Sequence, residues 1–127
     1  MADAVLDSSV ALAFLQGEAG AEKAGAAMAG GLMSVVNLAE VVAKLVNDGV
    51  PHEDALQAVR LLPFETVDAD AALAHRAGAL RAQTKHLGIS LGDRFCLALA
   101  EREGLPAVTG DRAWASLRIG VKIVLFR

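Results

Sequence analysis

Residues 90–111 read SLGDRFCLALAEREGLPAVTGD, and the architecture follows from them. Ser90 and Asp93 stand three apart in the capping-box pattern, in which an N-cap hydroxyl and a third-position carboxylate each satisfy a free backbone N–H. The run Phe95–Ala100 is wholly apolar and Gly104 supplies a stop. A short strand, Ala107–Thr109, comes next. A helix that feeds a parallel strand begins at the sheet's carboxyl edge, where such folds bind ligands. Asp93 therefore has two readings, a helix cap or a chemical group at that edge.

The same alternation continues on both sides of this unit. Val5-Leu6 ends a first strand, and Ser9–Leu15 begins a helix expected to continue past Gly17 through the alanine-rich residues 18–29. Leu32–Val36 reads as the second strand. Leu38, Val41, Val42, Leu45 and Val46 then recur at helical spacing until Asp48-Gly49. Pro51 opens a helix to about Leu62, Phe64–Val67 is a third strand, and a long helix spans about Asp70 to His86. Val121–Leu125 supplies the last strand. The pattern predicts an α/β fold: a small, mostly parallel central sheet of about four to five strands, flanked by helices in three α/β/α layers.

A chain of 127 residues is the size of one domain with one core, so residues 1–127 are expected to form a single domain. Hydrophobic residues make up 54% of it and the mean hydropathy is +0.43, which predicts apolar surface for a partner or a second copy. The longest uncharged run, 24–39, is shorter than the roughly 20 residues needed to span a bilayer. Asp3 and Asp7 replace the basic start of a secretory signal. The lone Cys96 has no disulfide partner and lies among apolar residues, as a buried thiol would. A cytoplasmic protein with no membrane segment is expected. The net charge of -3 excludes a strongly basic nucleic-acid binder, yet residues 1–74 sum to -8 and residues 75–127 to +5. That asymmetry leaves room for a local basic surface or for an ordinary solvated face.

Placed on this skeleton, four acids from distant parts of the chain point to one edge. Asp7 follows the first strand, and Asp111 follows the strand at Ala107. Asn37-x-x-Glu40 repeats the Ser90-x-x-Asp93 pattern. Each acid also has a local explanation: a loop or N-cap for Asp7, an i,i+4 ion pair with Lys44 for Glu40, a cap for Asp93, a turn for Asp111. Convergence is what those explanations do not require. Two carboxylates about 5 Å apart repel by on the order of 3 kcal/mol at an effective dielectric near 20, so such a cluster demands protons or cations. All-oxygen sites suit Mg²⁺ or Mn²⁺ rather than zinc.

The blocks AVLDSSVALAFLQGE (4–18), SVVNLAEVVAKLVNDG (34–49), LGISLGDRFCLALAEREGLPAVTGDRAW (87–114) and VKIVLFR (121–127) together resemble the PIN-domain ribonucleases. Within these, the chain is similar to the VapC-type toxins of toxin–antitoxin pairs. The resemblance implies a PIN-like fold and an endoribonuclease that hydrolyses RNA phosphodiesters with metal-activated water, leaving a 5′-phosphate and a 3′-hydroxyl. By it, Asp7, Glu40, Asp93 and Asp111 are the catalytic acids and hold Mg²⁺, for which Mn²⁺ can substitute. Ser9 and Thr109 match the supporting hydroxyl positions. Ala113 departs from relatives that carry a further acid there, which bears on a second metal. Arg94 and Arg112, each beside one of the acids, are candidates for RNA phosphate contacts or for solvated ion pairs. His52, His75 and His86 lack the spacing for a shared metal, and Asp68 and Asp70 read as helix N-terminal residues. Implied partners are RNA, a small antitoxin protein and a second copy of the chain. The alternatives are a PIN-like RNA-processing nuclease or RNA-binding scaffold outside such a pair, and a phospho-receiver domain. The receiver would need an acidic pair after its first strand, where only Asp7 stands.

Overall fold

The computed structural model describes residues 1–127. Five strands, β1 (Ala4–Leu6), β2 (Gly31–Ser34), β3 (Glu65–Val67), β4 (Ala107–Thr109) and β5 (Ile123–Leu125), form one sheet in the order β3-β2-β1-β4-β5. Every neighbouring pair is parallel, where the sequence predicts a mostly parallel sheet. The three inner strands are buried on both faces, which is why they read as unbroken apolar runs. Strand order reverses at β1, so the switch point lies between the ends of β1 and β4.

Two cores cover the two faces. Alternating strand residues divide between them: Leu6, Met33 and Val108 face one, Val5, Leu32 and Ala107 the other. The first is closed by α1 (Ser8–Gln16), α2 (Ala21–Met28), α3 (Val35–Asn47) and α4 (His52–Arg60). The second is closed by α5 (Ala71–Ala79), α7 (Leu91–Glu103) and Trp114. Between α5 and α7 lie the short α6 (Arg81–Thr84) and a 3-10 turn at Lys85–Leu87; another 3-10 turn spans Arg112–Ser116. Helix α7 is buried continuously from Arg94 to Ala100 because it packs on β1 and β2 while α3 and α5 flank it. No helix is long and apolar enough to cross a membrane.

Three of the differences from the sequence reading have a local cause. The helix expected to run through Gly17 is two helices, because Gly17 and Gly20 are both left-handed (φ 64° and 82°). The second strand ends at Ser34 rather than Val36: the Ser34 hydroxyl accepts from Val36 N–H and starts α3 three residues early. Glu40 is therefore not at the third position of its helix but a turn further in. The long helix expected from Asp70 to His86 breaks near Leu80, whose carbonyl accepts the buried Thr84 hydroxyl at 2.9 Å.

Candidate active site

Helices α1, α3 and α7 all begin at the carboxyl edge of the sheet, beside the ends of β1 and β4. Asp7 occupies the N-cap position of α1, but its side chain caps no backbone N–H of that helix. Instead its Oδ2 accepts the hydroxyls of Ser9 at 2.8 Å and Thr109 at 2.9 Å. Those hydroxyls in turn accept backbone N–H groups from Gly110 (3.0 Å) and Asp111 (3.1 Å). Ser9 and Thr109 thus stitch the switch point together while leaving Asp7 Oδ1 without a partner in the chain.

Both bonds of the predicted capping box are present: Asp93 N–H donates to Ser90 Oγ at 3.1 Å, and Ser90 N–H to Asp93 Oδ2 at 2.9 Å. Asp93 is half-buried. Burial, with the charges of Asp7 and Glu40 adding to it, pushes its pKa from 3.8 up to about 7 against the pull of the Ser90 bonds. The shift identifies Asp7, Glu40 and Asp93 as electrostatic neighbours. Glu40 does not pair with Lys44, which instead reaches Asp48 at 3.0 Å. Glu40 Oε1 accepts from Ser8 Oγ (2.8 Å) and Asn37 Nδ2 (3.1 Å), and Oε2 accepts a longer bond from Ser90 Oγ at 3.4 Å. Asp111 lies exposed at the rim, where its Oδ1 caps the following 3-10 turn through Ala113 N–H.

None of the four acids forms an ion pair. Each is anchored mainly through one oxygen, and Asp7 Oδ1, Asp93 Oδ1 and Asp111 Oδ2 accept nothing from the chain. The carboxylates are not a closed cage: no three Asp, Glu, His or Cys side chains converge to ligand distance. Mg²⁺ does not need such a cage, since it keeps several waters and takes only one or two carboxylates directly. An open, oxygen-only, anionic edge fits that ion.

The flanking arginines part ways. Arg112 is exposed beside Asp111. Arg94 is only 8% exposed, donates Nη1 to the Ile89 carbonyl at 3.1 Å and leaves Nε unpartnered. It is neither a solvated ion pair nor placed to meet phosphate. Cys96 is fully buried, and burial together with Asp7, Asp93 and Glu40 holds its thiol well above the usual range, so it stays protonated. Sequence reading missed Ser8 and Gly92, and took for an N-cap Asn37, which lies buried inside α3. Their signal was faint: polar or minimal residues within one turn of the acids.

Several solved structures share this fold. A toxin–antitoxin complex from Klebsiella pneumoniae matches at 21% identity and TM-score 0.75 over 98% of each chain. DNA-bound VapBC from Salmonella typhimurium matches at 18% and 0.76 over 100% of each. VapC20 of Mycobacterium tuberculosis, a sarcin–ricin loop cleaving toxin, matches at 20% and 0.70 over 94% of this chain and 99% of that one. Comparison with curated proteins gives no match. The family model for the PIN domain aligns with residues 4–119, from the first strand past the last of the four acids. With that alignment covering most of its length, the chain belongs to the PIN domain family.

Proposed function

We propose that the chain is a Mg²⁺-dependent endoribonuclease, with Mn²⁺ able to substitute, and that it is the VapC-like toxin of a toxin–antitoxin pair. Residues 1–127 act as one cytoplasmic domain. The observation that carries this reading is the group of carboxylates at the switch point, each with an oxygen left free or weakly bound and none with a cation partner. At neutral pH such a group is at rest only with a proton or a cation among it.

Asp7, Glu40, Asp93 and Asp111 would hold the ion. When bound, it neutralises phosphate charge and makes water a better nucleophile. The remaining work belongs to the chain. Ser9 and Thr109 fix one oxygen of Asp7 and so aim the other. The α7 cap does the same for Asp93, and the positive end of that helix favours the carboxylate form. Arg112, exposed beside Asp111, would receive the RNA phosphate. The toxin assignment rests on whole-chain likeness to structures from toxin–antitoxin complexes. Accordingly, the partners are a small antitoxin protein, a second copy of the chain and RNA.

The test is incubation of purified protein with structured RNAs, a sarcin–ricin-type loop among them, in Mg²⁺ or Mn²⁺ and in EDTA. Expected are 5′-phosphate products that EDTA abolishes. Cleavage that persists in EDTA removes the metal from the reading, and no cleavage of any RNA removes the nuclease.

A further inference from the structure

Gly92 is the second residue of α7, and its φ is not in the left-handed region, so no backbone requirement explains the missing side chain. Space does. A Cβ built on Gly92 would overlap both oxygens and the carboxyl carbon of Glu40. The early start of α3 sets Glu40 deep in its helix, and its carboxylate reaches the site by lying across the first turn of α7.

A buried amide holds that crossing in place. Asn37 is fully buried, and its Nδ2 lies 3.1 Å from Glu40 Oε1, 3.0 Å from the Gly92 carbonyl and 3.2 Å from Ser8 Oγ. The carboxylate and the carbonyl can only accept, which fixes the amide with nitrogen toward them and leaves Asn37 Oδ1 unpartnered. Ser8 closes the ring with its 2.8 Å bond to the same Glu40 oxygen. One amide thereby ties α3 to α7, with α1 joined through Ser8, and these three helices carry Glu40, Asp93 and Asp7.

We propose that Gly92 is the seat of the Glu40 carboxylate, and that Asn37 and Ser8 lock it there as positioning residues for metal binding. The inference rests on the metal-site reading above. Alanine is the better helix former, and the atoms its methyl would meet are the end of a flexible side chain. Gly92→Ala should therefore leave the protein folded while it displaces Glu40.

The experiment measures thermal melting and Mn²⁺ affinity by calorimetry for wild type, Gly92→Ala, Glu40→Ala, the double variant, and Gly78→Ala, whose added methyl meets nothing within 4 Å. Expected for Gly92→Ala are a Tm at or above wild type and Mn²⁺ affinity lower by about 10–100-fold. Gly78→Ala should leave affinity unchanged, and the double variant should bind no more weakly than Glu40→Ala alone. Wild-type affinity in Gly92→Ala, or a further loss on the Glu40→Ala background, overturns the proposal. Should Gly92→Ala fail to fold, recovery of folding in the double variant supports it and continued failure overturns it. No Mn²⁺ binding by wild type would instead remove the metal-site reading, and this proposal with it.

Discussion

Asp93 caps its own helix and faces two other carboxylates, and its raised pKa gives that conflict a pH signature. An acid held at about 7 when folded, against 3.8 ordinarily, binds its proton more tightly in the native state. Its contribution to stability is complete below pH ~4 and is lost as pH rises through about 7. Metal-free wild type should therefore lose Tm relative to Asp93→Asn between pH 5 and 8.5; a difference that stays flat in parallel melts would contradict this. At this scale the sequence was readable where both partners stood in one short pattern: the capping box of Ser90 and Asp93 forms as predicted. It was unreadable where a side chain had more than one partner within reach. Lys44 chose Asp48 over Glu40, and Arg94 turned inward to Ile89. Gly92 has meaning only once α3 lies against it.

Helix α7 is the element on which fold and site depend together. Seven consecutive residues, Arg94–Ala100, are buried, so Leu97→Ala should cost about 2–5 kcal/mol in denaturant melts. The cap is a smaller matter: Ser90→Ala removes the acceptor for Asp93 N–H and should cost about 1 kcal/mol, or roughly 4 °C in Tm. Because the Ser90 hydroxyl also touches Glu40 Oε2, cleavage should fall more than stability does. If the Ser90→Ala variant keeps full activity while losing Tm, the cap is structural only. Element order and type were legible in periodicity, whereas boundaries turned on single residues. The Ser34 hydroxyl out-competed two β-branched valines that favour strand, and two left-handed glycines split a segment of high alanine content.

Across the whole molecule the charge halves take on a physical form. Of the nine basic residues after residue 74, Arg76, Arg102 and Arg127 have carboxylate partners and Arg94 is buried. Arg81, Lys85, Arg112, Arg118 and Lys122 form no ion pair. RNA association measured on a cleavage-dead variant should weaken with salt, and Arg112→Ala should reduce the salt slope by roughly 0.7. An unchanged slope would place the phosphates elsewhere. The parallel sheet, the three layers and the carboxyl edge that carries the acids were legible because short apolar strands between helices admit few topologies. The side-chain knot joining α1, α3 and α7 was not, since no pattern within one segment encodes a contact among three.

The proposed function has the carboxylates at the switch point cutting RNA rather than merely starting helices. Asp93→Asn separates these two roles, because the amide keeps the shape and still accepts from Ser90 N–H. Cleavage and thermal melting are measured side by side on one preparation at pH 7 with Mn²⁺. Expected is cleavage reduced by about 100-fold or more with Tm within a few degrees of wild type. Wild-type cleavage by Asp93→Asn would contradict it and return Asp93 to the role of a helix cap.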